Sequence, residues 1–258
     1  MLFSVKGFLA TFKFWRSFLT ALVCTVTMSA ATVVFGFILA LFLAGMRLSN
    51  FKPFKALGID KNGAQKGGFV GKLSGFNPLS FLATCYVEIF RATPMLVQVF
   101  LIYHVVMAPI SLPRFMLFGI IRFERFLPGV VALSLNSGAY LSEIIRSGIQ
   151  SIDGGQTEAA RSLGLSSGQT MKLIVLPQAI KNILPAIANE FVTIIKESSV
   201  TYLIGVQELM AMVAAVKAST FSIGEPLVVV TVIYFCLTFP TSKIIAYFER
   251  RMSKGDKR

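Results

Sequence analysis

A single histidine, His104, and three cysteines leave this chain short of material for metal or nucleophilic chemistry. Cys24, Cys85 and Cys236 stand far apart, each within an apolar run, without the spacing of a metal or redox pair. They read as small side chains in packed interiors. With one histidine, a His-based metal cluster or a Ser-His-Asp triad has almost no material. A P-loop is missing too. Lys66 to Lys72 approaches its spacing, but position 66 is not glycine and Leu73 replaces the required Ser or Thr. Any nucleotide hydrolysis must therefore happen on another chain. Acidic residues number 12 against 25 Lys and Arg, and charged residues of both signs reach only 14%. So few charges exclude an ordinary soluble domain.

What is present is apolar: 55% of 258 residues, 24 Phe, and a mean hydropathy of +0.72, the profile of an all-α polytopic membrane protein. Five spans are expected, at about Ser17 to Met46, Leu79 to Met107 with a kink at Pro94, Phe126 to Ile149, Asn182 to Gly205, and Pro226 to Phe248. The run from Phe115 to Ile121 is too short to cross and reads as an external loop or short re-entrant helix. Residues 1–16 form an amphipathic lead, with Lys6, Lys13 and Arg16 among Phe3, Phe8, Phe12, Phe14 and Trp15. The first span is too long for a cleaved signal peptide, and Leu22-Val23-Cys24 is a poor lipobox. Residues 17–248 then make the membrane domain, and 249–258 a basic tail.

The net charge of +13 raises nucleic acid as a partner, but the basic residues flank apolar runs, as membrane orientation demands. Residues 46–78, 150–181 and 249–258 hold six, three and five Lys/Arg, whereas 1–16, 108–125 and 206–222 hold three, three and one. The positive-inside rule places the first group in the cytoplasm, with the N-terminus outside and the C-terminus inside. Residues 50–77, rich in Gly and Lys, read as a flexible solvated stretch within a cytoplasmic linker, 47–78.

Ionisable groups inside spans are costly and therefore informative. Glu88 and Arg91, and again Glu143 and Arg146, lie three apart on helices and share a face. They are read as structural ion pairs or as parts of an inner gate. On the fourth span, Glu190, Thr193, Glu197 and Thr201 form a stripe, widened by Asn189, Lys196 and Ser199. So polar a face looks at protein or water: either a dimer seam or a solute path. The path reading takes in Glu190, Thr193, Lys196, Glu197 and Ser198.

The one sizeable polar stretch of the second half before the tail is Gln156 to Pro177, within the loop 150–181. Thr157 is suited to cap a short helix to Leu163, Gly164 to end it in the left-handed conformation, and Ser166 to Ile174 to form a second helix stopped by Pro177. Its pattern is Glu158-Ala159-Ala160, three residues, Gly164, nine residues, then Ile174-x-Leu176-Pro177. This resembles the EAA loop of ABC-importer permeases, and every fixed position matches. Val87 to Gln98, Gly138 to Gln156 and Lys196 to Val200 resemble the branch of that family serving polar amino acids. Ala92 and Ser198 depart mildly from its usual Gly and Thr.

The resemblance implies a type I permease fold in the cell inner membrane. It implies a homo- or heterodimer contacting lipid, two ABC ATPase subunits that bind ATP and Mg, and an extracytoplasmic solute-binding protein. The loop would seat in the ATPase through Glu158, Ala159, Ala160, Gly164 and Ser167. The expected function is a permease subunit of an ATP-driven importer for polar amino acids, with no catalysis and no cofactor of its own. The alternatives are an importer for another small solute, an opine or osmolyte, or an ATP-independent carrier or channel.

Overall fold

The computed structural model describes residues 4–55, 68 and 74–253. The near-P-loop, most of the Gly/Lys linker and the last five residues of the basic tail lie outside them. The described chain runs α1 (Val5–Phe12), α2 (Trp15–Leu48), α3 (Pro78–Ala92), and α4 (Met95–Leu101) with a π-helical continuation at Ile102–Val106. A small hairpin follows, β1 (Met116–Leu117) and β2 (Ile121–Arg122), then α5 (Phe123–Gln150). Next come α6 (Gly154–Ser162), α7 (Ser167–Thr170), a π turn at Met171–Val175, α8 (Leu176–Glu197), a 3-10 turn at Ser198–Ile204, α9 (Ala211–Thr220) and α10 (Gly224–Ser253).

Among the described residues three helices are long and apolar enough to cross a membrane: α2, the continuous run Ser167–Ile204 that contains α8, and α10. The expected second span is not one kinked helix. It breaks into α3 and the α4 run, bent by 110°. Pro94 is the cause: Thr93 before it takes an extended backbone (φ −109, ψ 145), as a residue preceding proline prefers. The carbonyls freed at the break do not go unpaired. Gln98 Nε2 donates to Phe90 O (2.7 Å) and Thr93 O (3.0 Å), and Asn136 of α5 donates to Gln98 Oε1 (2.8 Å).

The expected third span, α5, is long enough at 28 residues but is built from small and polar groups. Ser134, Asn136, Ser137, Gly138 and Ser142 are all buried, because α2, α3, α4 and α8 pack around it. A helix wrapped in protein has no need of a lipophilic surface. Its partners approach very closely. A Cβ on Gly138 would lie 2.8 Å from Leu39 of α2, and one on Gly148 would lie 2.3 Å from Ile183 of α8. Small residues at membrane helix contacts allow this approach, and dispersion between the closely packed atoms holds it. Beside them, Ala40 and Ala44 of α2, Leu141 and Ile145 of α5, and Ala179 and Ile183 of α8 form one core cluster.

Three further expectations are corrected. The Phe115–Ile121 run is a hairpin, not a re-entrant helix: Leu117 pairs with Ile121 across a turn at Phe118 and Gly119. Residues 206–222, read as an outer loop, contain α9, whose Met212, Val213 and Val216 pack against Phe18 of α2 and Val230 of α10. Nor are the cysteines uniformly interior, for Cys24 is buried but Cys236 is exposed on α10. The amphipathic lead is helical as α1. Ser4 caps it and donates its N–H to Glu225 of α10 at 3.0 Å, while Val5, Leu9 and Phe12 stay exposed.

The close α5–α8 contact yields a direct test. Gly148→Val should lower stability by about 2 kcal/mol, the usual effect of overpacking, while Gly45→Val, with open space around it, should have much less effect. Thermal unfolding of the two variants in detergent checks this. Equal midpoints would show that Ile183 gives way freely.

Candidate functional site

Two features gather the chemistry at one end of α5: a rigid knob and an arginine cluster. The knob follows α5 directly. Asp153, not Thr157, caps its first helix, accepting from Gly155 N at 2.8 Å, so the cap of α6 lies four residues earlier than the sequence pattern suggested. The acidic side chain before a Gly-Gly start outcompetes the later threonine. Gly164 has φ +89, and two bonds close the helix end: Leu165 N to Ala160 O (3.1 Å) and Gly164 N to Arg161 O (3.0 Å). That is a Schellman motif, which needs the left-handed residue at this position.

Ser166 and Gln169 then form a reciprocal capping box that starts α7. The helix does not stop at Pro177, which sits in the first turn of α8 after the π turn Met171–Val175. The wider π turn leaves carbonyls that Pro177, lacking an N–H, has no need to bond. Gln178 ties the knob to α8 by donating to Gln156 Oε1 at 2.6 Å.

Glu158, Ala159 and Ser167 are exposed on the knob, but Ala160 turns inward and is buried. Ala160 is thus a packing residue. Leu163, which the pattern did not single out, stands at the tip with 82% of its surface exposed. Its signal was a leucine directly before a turn glycine, in a loop otherwise polar.

One to two turns back along α5 lies the arginine cluster. Glu143 binds Arg47 of α2 at 2.6 Å and Arg146 of its own helix through both oxygens. Arg91 of α3 crosses over to Glu143 at 4.0 Å and lies above the Tyr140 ring. Of the two candidate pairs Glu143 with Arg146 forms, the same carboxylate also serving Arg47 and Arg91 across helices, and among the described residues Glu88 forms no ion pair. The second pair failed because long arginine side chains find partners across helices as easily as along them.

The polar face of α8 divides in two. Asn189 and Lys196 are exposed, and Thr193 lies between them with its hydroxyl bonded to Asn189 O. Lys181, Asn182 and Asn189 line a cavity of about 390 Å³ against Glu249 of α10. Glu190 and Glu197 flank this line, half-buried. Ser198 and Thr201 are fully buried and belong to the interior. A further interior group was missed by sequence reading: Glu208, also fully buried, accepts from Met210 N and Ala211 N (2.9 Å each) and from Tyr234 Oη (2.7 Å). An acidic residue ahead of the apolar α9 run was its only signal.

A helical membrane bundle with a capped knob between spans and a polar face on the next helix defines a transport subunit. Residues 66–254 match the family described as the binding-protein-dependent transport system inner membrane component, and the chain belongs to that family. It is 42% identical over 185 residues to the arginine transport system permease protein ArtQ of Bacillus subtilis, covering 72% of this chain and 80% of that protein. A solved amino acid ABC transporter with histidines superposes with a TM-score of 0.77 and 36% identity, covering 95% of this chain and 98% of that one. The MetNI methionine ABC transporter, caught inward facing, shares the fold alone, with a TM-score of 0.60 and 16% identity over 91% of this chain and 97% of that one. The type I ABC importer permease fold and the multi-pass inner-membrane location follow.

The cluster makes its own prediction. Glu143→Gln leaves three guanidiniums facing one another and should lower stability by about 2 kcal/mol, whereas Glu88→Gln should change it by less than about 0.5 kcal/mol. Equal shifts in melting temperature for the two variants would restore the reading of two independent pairs.

Proposed function

We propose that this chain is the permease subunit of an ATP-driven importer for polar amino acids, working as a dimer above two ABC ATPases. The knob is the observation that carries the reading. Two short helices, each capped and joined by a Schellman turn, hang from the end of α5 and lead without a break into α8. Such a body moves as a unit, so a push at its tip reaches two long helices. Glu158, Ala159, Leu163 and Ser167 form the exposed surface that seats in the ATPase, which binds ATP and Mg, and Ala160 and Gly164 hold its shape. The amino-acid substrate is supported by the arginine permease and the amino acid transporter to which the chain is similar. In this reading the knob and the basic tail are cytoplasmic and the hairpin faces outward.

Glu158→Lys should weaken docking by reversing a charge on the exposed face offered to the ATPase, and Gly164→Val should strain the turn by roughly 1 kcal/mol or more. Both variants should reach the membrane at normal levels yet lose ATP-driven uptake and solute-stimulated ATPase activity. Normal uptake in both would mean that the knob is not the coupling element.

The solute path is assigned to the line of exposed Asn189, half-buried Thr193 and exposed Lys196 with the flanking Glu190 and Glu197; Ser198, fully buried, is left out. Glu197→Gln should leave the ATPase associated while changing the uptake rate or the preference among competing amino acids. A variant that no longer dimerises would instead make this face the seam between subunits.

A further inference from the structure

A cavity of about 820 Å³ lies at the other end of α5, under the hairpin. Arg114, Arg122 and Arg125 line it with Tyr103, His104 and a single carboxylate, Glu124. Arg125 is committed to the floor, donating to Ile204 O at 3.2 Å and lying over the Tyr103 ring. The side chains of Arg114 and Arg122 are exposed and have no hydrogen-bond or ion-pair partner among the described residues. They are also held in place. Each immediately precedes one ring of the Phe115–Phe123 stack (4.5 Å), which Phe123 N to Phe115 O closes at 3.1 Å.

Above the cavity the hairpin carries an exposed apolar edge of Phe115, Met116 and Phe118, the last 76% exposed. Phe118 has φ +52, a conformation that a bulky residue adopts only against a penalty of about 1 kcal/mol or more. Strain of that kind is kept where a side chain must be presented in a set direction. Arginine, aromatic and methionine side chains around a polar basin are the composition of a protein docking surface. A free solute would touch the basin but would have no use for the strained tip.

We infer that the hairpin and its arginine basin are the surface on which the extracytoplasmic solute-binding protein docks, through an acidic rim that places carboxylates on Arg114 and Arg122 and an apolar spot on Phe118. This rests on the proposed importer reading, and it adds the surface and the chemistry of the partner. The location agrees: α5 runs 28 residues, about 42 Å, between hairpin and knob, so the two sit at opposite ends of the bundle. The family itself is binding-protein-dependent.

The assembled transporter in nanodiscs, titrated with its binding protein at low and high salt, tests this. Arg114→Glu with Arg122→Glu should raise the half-saturating concentration for docking by about tenfold or more and flatten its salt dependence. Phe118→Ala should weaken docking several-fold with the salt dependence kept. Docking is read directly by surface capture as well as through stimulated ATPase activity. Docking curves unchanged in both variants would overturn the assignment. It would equally be overturned if the arginine variants altered only the stabilisation given by phosphatidylglycerol over phosphatidylcholine, for the basin would then hold lipid. Loss of docking in the variants, with ATPase activity unresponsive even in the unaltered complex, would support this surface and sink the coupling reading instead.

Discussion

The structure depends on how closely α5 can be approached. Its Gly138 and Gly148 leave no room for a Cβ against Leu39 and Ile183, so α2 and α8 lie on its backbone. Between membrane helices lipid offers no hydrophobic preference for association, and close van der Waals contact must supply most of it. The same closeness lets α5 be polar. Buried on nearly every side, it holds Ser134, Asn136, Ser137 and Ser142 out of lipid, which a surface helix of that composition could not do.

Polar groups placed on such a helix become the joints of the bundle. Asn136 and Gln98 satisfy the carbonyls opened by Pro94, and so make a 110° break between α3 and α4 tenable inside a membrane. Glu143 gathers arginines from α2, α3 and α5 at the end nearer the knob. Glu208 does the corresponding work elsewhere, filling the start of α9 and holding Tyr234 of α10. In a low dielectric each arrangement is stable only when complete, since an unpaired member would carry its full desolvation penalty.

These joints also mark where reading the sequence stops. Because lipid-facing length is written in composition, hydropathy found α2 and α10 to within about five residues at each end and the close of the α8 run at Ile204, but not its start at Ser167. The turn of the knob was legible too, in Gly164 and the restart at Ser166, but its ends were not: Asp153 caps the first helix and the second runs on past Pro177. The miss at Asp153 was a choice between two neighbouring capping residues. Glu208 and the arginine hub were illegible for a different reason. Which carboxylate three arginines choose depends on where α2 and α3 cross α5, and spacing along one helix says nothing about that. Pro94 was seen as a kink because proline reports a disruption but not its angle.

With the knob at one end of α5 and the hairpin at the other, the helix is placed to link the two proposed docking events. Rigid transfer needs the rod to be held along its length, and the packing meets that condition. Arg47 and Arg91 brace Glu143 near the knob, Gly138 seats against Leu39 midway, and Arg125 fastens the hairpin end to Ile204 at the close of the 3-10 turn that ends the α8 run. That last bond is the telling one. The α8 run begins at the knob and returns to the hairpin end, so α5 and α8 are joined at both of their ends. A tilt imposed on the knob therefore cannot be absorbed by one helix sliding on the other. It must turn the pair together, and the polar face of α8, carrying Asn189, Thr193 and Lys196, turns with it.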